Sequence, residues 1–224
     1  MSEKVAESMV THILKDGGKT WRQAAALNGK GKIIYKALKN ELKSPVGLAV
    51  HSEVFRNAEI IRTVPLTIAR RFTNHIAKES LSGRRASDIV EDLLEMYPKI
   101  TNAQAKCIAR TESSKTSSAL TKSRAENLGL DFYIWHTSED ARVRDSHKKM
   151  DDVICSYRNP PAPELLTNDK FVGRYDAGNI YNCRCYAQVI TSLDDISFPA
   201  KVYLNDKIVT MSRKKFIEYS GMED

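Results

Sequence analysis

Hydrophobic and polar positions along this chain change rhythm once, near residue 131. Before it, apolar residues recur at three- and four-residue spacing, as in Ile33, Ile34, Ala37, Leu38 and Leu42, with lysines between them. That is the pattern of a helix with one buried stripe. Ser44, Pro45 and Gly47 break the run. Periodicity resumes over 50–81 as one or two helices, with Pro65 at a kink or restart and Ser82-Gly83 as the stop. Ser87 is placed to cap a helix over 88–97, with acids in its first turn and Pro98 closing it. Thr101 and Gln104 have capping-box spacing and open a long helix through Cys107, Arg110, Glu112 and Arg124, with Gly129 just past its end. This helix is rich in Ser, Thr and Ala, buries little apolar area and needs a partner.

From residue 131 the signal is that of strands. The run from Asp131 to Thr137 is aromatic and β-branched on both faces, which predicts an interior strand. Thr137 is expected to cap a short helix over 138–150. A long loop over 155–180, with Pro160, Pro161, Pro163, Gly173 and Gly178, follows. Loops of this length inside a domain are functional or pinned by something. Residues 183–190 read as a second strand, and 201–210 as a hairpin turning at Asn205-Asp206. Ser212 is placed to cap a last helix to residue 219. The fold class expected is therefore α+β: a mostly helical region over 1–100, then a small α+β domain over 101–224 with a few-stranded antiparallel or mixed sheet. The boundary near Pro98 is soft, because the helix from 101 can pack with either part.

Composition adds bounds. The 224 residues are 42% hydrophobic and 28% charged, enough for a real core in one or two domains. No run of about 18 apolar residues exists, so no membrane helix and no membrane partner are expected. The opening residues lack the apolar core of a secretory signal, which leads us to expect synthesis into a cytoplasm. In a reducing compartment, four cysteines read as thiols or metal ligands rather than a disulfide framework.

Charge is unevenly spread. Residues 1–130 hold 22 basic and 13 acidic side chains, against 13 and 15 in the remainder. Lys30, Lys32, Lys36, Lys39 and Lys43 form the densest stretch. Such a stretch is either a phosphate-backbone footprint or a solvated helix face rich in lysine.

Candidate chemistry gathers late in the chain. On the helix expected over 138–150, Asp140, Arg144 and His147 share one face, which reads as an ion-pair network, as presentation of His147 to a metal, or as a catalytic base. Cys183 and Cys185 flank one residue. In a regular strand their Cα atoms stand about 6–7 Å apart, whereas two thiolates on one zinc lie about 4 Å apart. The pair can chelate only where the chain bends. With His147 and Cys155 it makes a four-ligand set for a structural zinc; otherwise these cysteines are small buried hydrophobes. Cys107 reads as core packing, Trp135 as a core anchor, and His136 as a satisfied strand histidine. A further constellation, Asp140, Asp145 and His147 around a metal ion, would make a metal-dependent enzyme on nucleic acid.

These words also stand in an order of their own. Arg110, Thr111 and Glu112 come first, then Trp135, Asp140, Arg142, Arg144 and His147, then Asn182, Cys183, Arg184 and Cys185. In that order and spacing, over about 101–190, the chain resembles the Mu F-like head-morphogenesis proteins of tailed phages. The resemblance implies a non-enzymatic minor head protein made in the host cytoplasm and packaged in the capsid interior near the portal vertex. Implied partners are the portal protein and double-stranded DNA, with scaffold or major capsid protein as further ones. Many members carry additional cysteine or histidine where this chain has Arg144 and where it has Ile180-Tyr181, which makes Cys155 a replacement ligand here. A host-derived or defence-related DNA-binding protein reusing the domain is a third reading.

Overall fold

The computed structural model describes residues 61–222 apart from Arg62, Ser82 and Asn168. They group into two compact units: one takes the chain to Asn127 together with 179–183, the other takes 128–178 and 184–224. The helix from 101, which the sequence allowed to pack with either part, groups with the first.

The first unit is helical. Pro65 begins α1 (Leu66–Leu81), its carbonyl accepting from Ile68 and Ala69 at 2.9 Å each. Proline is tolerated there because helix-start N–H groups lack intrahelical partners anyway. α2 (Ala86–Met96) starts earlier than expected. Ser87 lies inside it and donates to Asp88 at 2.9 Å, while the N-cap position is Arg85, with no side-chain cap. Arg84, paired with Glu79 and Asp92, ties down the chain entering the helix instead.

α3 (Asn102–Asn127) opens on the expected capping box: the Thr101 N–H donates to Gln104 Oε1 (2.9 Å) and the Gln104 N–H to Thr101 Oγ1 (3.2 Å). Thr101→Ala removes one acceptor and is expected to cost about 1 kcal/mol, read as a lower denaturant midpoint at unchanged slope. An unmoved midpoint would mean that water serves those N–H groups equally well. Gly129, at φ +70°, follows the helix in the left-handed conformation that glycine adopts without penalty. Phe72, Ile76, Ile89, Leu93, Ile108 and Ala109 fill the core of the three helices. Within α3, Glu112 and Lys115 are both buried, their charged atoms 3.7 Å apart.

The second unit is built on a five-stranded mixed sheet in the order β3-β1-β2-β4-β5, which completes the α+β class expected. β1 (Phe132–His136) lies between β2 (Val153–Ser156) and β3 (Tyr186–Val189), antiparallel to both. β2 runs parallel to β4 (Ala200–Leu204), which pairs with β5 (Lys207–Met211) as the expected hairpin. Asn205 (φ +50°) and Asp206 (φ +62°) make its two-residue turn, residue types that tolerate positive φ. β2 is a strand that sequence reading left in a loop: four residues bounded by turns carry too little periodicity to stand out.

β1 has bulky groups on both faces because both faces are covered, one fully and the other in part. Phe132 and Ile134 join Ile154, Val202 and Phe216, the last carried by α5 (Arg213–Ser220), which Ser212 caps. Tyr133 and Trp135, on the other face, are fully buried. Trp135 stands edge-on to His147, ring centroids 5.4 Å apart, and 6.2 Å from the Tyr175 ring.

The helix expected over 138–150 is replaced by a turn and then a short α4 (Asp145–Lys149). Asp140 explains the difference. Its carboxylate accepts from the Arg142 N–H at 2.9 Å and its carbonyl from the Val143 N–H at 3.1 Å, closing a local turn that competes with helix. Glu139 precedes it at φ +54°. Asp140, Arg144 and His147 therefore do not share a helix face.

Candidate functional site

His147 lies on α4 with 2% of its surface exposed. Arg144 supplies the N-cap backbone, and its carbonyl accepts from the Lys148 N–H at 2.9 Å. Asp145 pairs with Lys148 at 2.9 Å on the solvent side. So short a helix holds its histidine through tertiary contacts rather than propensity.

Those contacts form a relay within the second unit. Tyr175 Oη lies 3.0 Å from His147 Nε2 and donates a short hydrogen bond to Glu164 Oε1. The tyrosine hydroxyl has one proton. With that O–H directed at Glu164, the tyrosine oxygen accepts from His147, so Nε2 carries the imidazole proton and Nδ1 presents a lone pair. Nδ1 faces Cys185 Sγ at 3.4 Å. Cys183 belongs to the same group: one ligand atom from each of His147, Cys183 and Cys185 lies within 4.8 Å of the others, and all three residues are buried. Tyr175 and Glu164 went unnoticed in the sequence. A lone Tyr and Glu in a Pro- and Gly-rich loop carry no signal until the fold brings them to His147.

The bend that a chelating Cys-x-Cys needs is present. Cys183 and Cys185 precede β3 rather than lying within it, and Asn182 takes φ +50°. The Cys183 N–H reaches the Ile180 carbonyl at 3.3 Å, closing a turn.

The residues of the family-like signature meet in pairs around this segment. In the first unit, Arg110 donates to Asn182 Oδ1 at 3.0 Å, and the Asn182 N–H donates to Thr111 Oγ1 at 3.0 Å. In the second, the Arg184 guanidinium forms two hydrogen bonds with Asp140, the Nη2 bond at 2.6 Å. That guanidinium first, then the Arg142 N–H, holds the Asp140 carboxyl well below the usual carboxylate range. Arg142 is exposed, 3.5 Å from Asp140. Glu112, 4% exposed, has its carboxyl pushed up by burial, with Lys115 opposing the shift.

Cys155 lies on β2, outside the group that gathers around His147. Its thiol is 3.6 Å from the Val153 carbonyl, and burial pushes it well above the usual thiol range. It sits in the sheet as a small hydrophobe. Cys107 is half-buried on α3, and none of the four cysteines forms a disulfide. His136 is satisfied between Gln188 (2.9 Å) and Asp152 (3.4 Å). Asp140 and Asp145, the carboxylates considered for an enzymatic ion, are each paired with a basic side chain, and neither joins the His147 group.

The long loop is pinned by the protein itself. The Ala162 N–H donates to the Tyr203 hydroxyl (3.1 Å), Arg174 pairs with Asp206 (2.8 Å), and the Tyr175 N–H donates to the Pro161 carbonyl (3.0 Å). Lys30, Lys32, Lys36, Lys39 and Lys43 lie outside the described residues. Among the described residues, no helix is long and apolar enough to cross a membrane.

Comparison with known proteins gives two matches. The family described as phage Mu protein F like protein matches residues 70–188. An uncharacterized protein of Haemophilus influenzae (strain Rd) is 29% identical over 168 residues, which cover 75% of this chain and 34% of that protein. The chain thus spans about a third of the length of the curated relative it matches. No solved structure matches.

Proposed function

This chain belongs to the family of phage Mu protein F like proteins, and we propose from that membership that it is a phage head-morphogenesis protein: a minor, non-enzymatic component of the virion. In this reading it is made in the host cytoplasm, joins the portal vertex during head assembly, and remains inside the capsid in contact with packaged DNA. Scaffold or major capsid protein are further partners.

The observation that carries the reading is the pairing of signature residues. Arg110 with Asn182, and Asp140 with Arg184, are hydrogen-bonded clamps on one bent segment. Their chemistry is that of a scaffold. The guanidinium groups of Arg110 and Arg184 are engaged with side chains of the fold. A buried architecture held by such clamps suits a part that must keep its shape in an assembly.

Co-purification with the portal protein of the same genome, at moderate and high salt, tests the reading. A complex that survives high salt supports portal association; absence of a complex at every salt concentration removes it. DNA contact is supported by the basic excess of residues 1–130. With about six to eight phosphate contacts, affinity is expected to fall by about 10³–10⁵-fold between about 50 and 200 mM salt. Charge reversal at Lys32, Lys36 and Lys39 should weaken binding equally on unrelated sequences. A flat salt response would sink the backbone-contact idea.

A further inference from the structure

We propose that His147, Cys183 and Cys185 form a zinc site, and that Tyr175 and Glu164 are positioning residues that present His147 to the ion. This inference is independent of the portal and DNA reading, since it rests only on the donor set and the relay behind it.

One imidazole nitrogen and two thiol sulfurs are a borderline-soft set that suits zinc over the hard cations. The tautomer is already the one a ligand needs. Tyr175 donates a hydrogen bond to Glu164, accepts one from His147 Nε2–H, and leaves the Nδ1 lone pair toward Cys185. Zinc–sulfur and zinc–nitrogen bonds of about 2.3 and 2.0–2.1 Å give a tetrahedral N···S edge of about 3.6 Å. The Nδ1···Sγ separation to Cys185 is 3.4 Å. The 4.8 Å bound on the whole group closes onto an ion with a shift of about an ångström.

Metal-bound histidines characteristically pass their second ring N–H to a carboxylate, carbonyl or water. Here a tyrosine stands between ring and carboxylate. Glu164 is 5% exposed, its Oε2 has no hydrogen-bond partner, and no ion pair among the described residues holds it. A carboxylate so placed gains from a more polarised donor along its hydrogen-bond path. A metal ion on Nδ1 polarises the Nε2–H that leads through Tyr175 to Glu164. Each cysteine enters as thiolate, so binding releases two thiol protons to solvent, and the two thiolates neutralise the ion. The site differs from the four-ligand set expected from spacing. Cys155 is outside it, which leaves the fourth tetrahedral position without a ligand among the described residues.

The test uses the full chain. Elemental analysis after growth with zinc should find about one zinc per chain. Chelator-treated protein titrated with cobalt(II) should develop sulfur-to-cobalt charge-transfer absorption and the intense ligand-field bands of a tetrahedral ion. C185S should lose both signals and C155S should keep both. Serine at a ligand position also changes a buried contact of the fold, so Y175F carries a second readout. It should retain the cobalt spectrum but bind cobalt(II) about 10–100-fold more weakly. Absence of metal and of any cobalt spectrum in the unaltered protein overturns the site, as does loss of metal in C155S equal to that in C185S. Unchanged cobalt affinity in Y175F overturns the positioning role.

Discussion

Trp135→Ala is expected to lower the stability of the protein by about 3–5 kcal/mol. Among the described residues, Trp135 is the largest fully buried side chain, within an interior strand, with the His147 and Tyr175 rings against it. Truncation to alanine forfeits the transfer energy of the indole and leaves a cavity that the paired strands on either side cannot close. Trp135→Phe should cost much less, because Trp135 Nε1 is buried without a hydrogen-bond partner and phenylalanine gives up no bond there. Chemical denaturation followed by far-ultraviolet circular dichroism measures both. A loss of under about 1 kcal/mol in the alanine variant would mean that the site relaxes around the gap, and that the strand is less rigidly held than its burial implies.

Lys115→Met should be nearly as damaging, at about 3–5 kcal/mol near neutral pH. Methionine fills the volume of the lysine stem but removes the cation 3.7 Å from the buried Glu112 carboxylate. The pH dependence is the sharper signature. Burial already raises the Glu112 carboxyl above its ordinary value, and Lys115 is the group that opposes this. Removing Lys115 raises it further. Between the unfolded and folded values the native state holds the extra proton, so stability falls as pH rises through that window and is restored on acidification below it. The variant should therefore look worst at neutral pH and recover toward the unaltered protein under acid conditions. Glu112→Gln in the same background should return most of the loss at neutral pH, giving a strong coupling in a double-mutant cycle. A deficit that is constant with pH would place the damage in packing rather than in the uncompensated charge.

Both predictions touch residues of the family signature. Trp135 and Glu112 stand in it, and Trp135 already reads as a core anchor in the sequence. In the fold one is a core anchor and the other half of a buried ion pair. Arg110 bonds to Asn182, and Asp140 to Arg184, in two pairs. Three short words in fixed order are what such clamps require, since Arg110 is of little use without Asn182, and Asp140 without Arg184.

Local chemistry was enough for the elements whose determinants lie within a few residues. The Thr101–Gln104 box, the left-handed Gly129, the Asn205-Asp206 turn and the Ser212 cap are each closed by hydrogen bonds or dihedrals of near neighbours. β1 was legible for a similar reason: strand-forming side chains on both faces can only be an interior strand. The α+β class followed from these, and the family from the ordered signature residues. What the sequence could not specify depended on residues far apart in the chain. Asp140 prefers a turn and Arg184 over a helix face with His147, a choice made by a partner 44 positions away. β2 exists because β1 and β4 flank it, not because its four residues insist on it. The ligand group lost Cys155 and gained a Tyr175–Glu164 relay because side-chain direction, not spacing, decides which atoms meet. A strand side chain pairs across the sheet, whereas a bend after a left-handed Asn182 turns two cysteines toward one histidine.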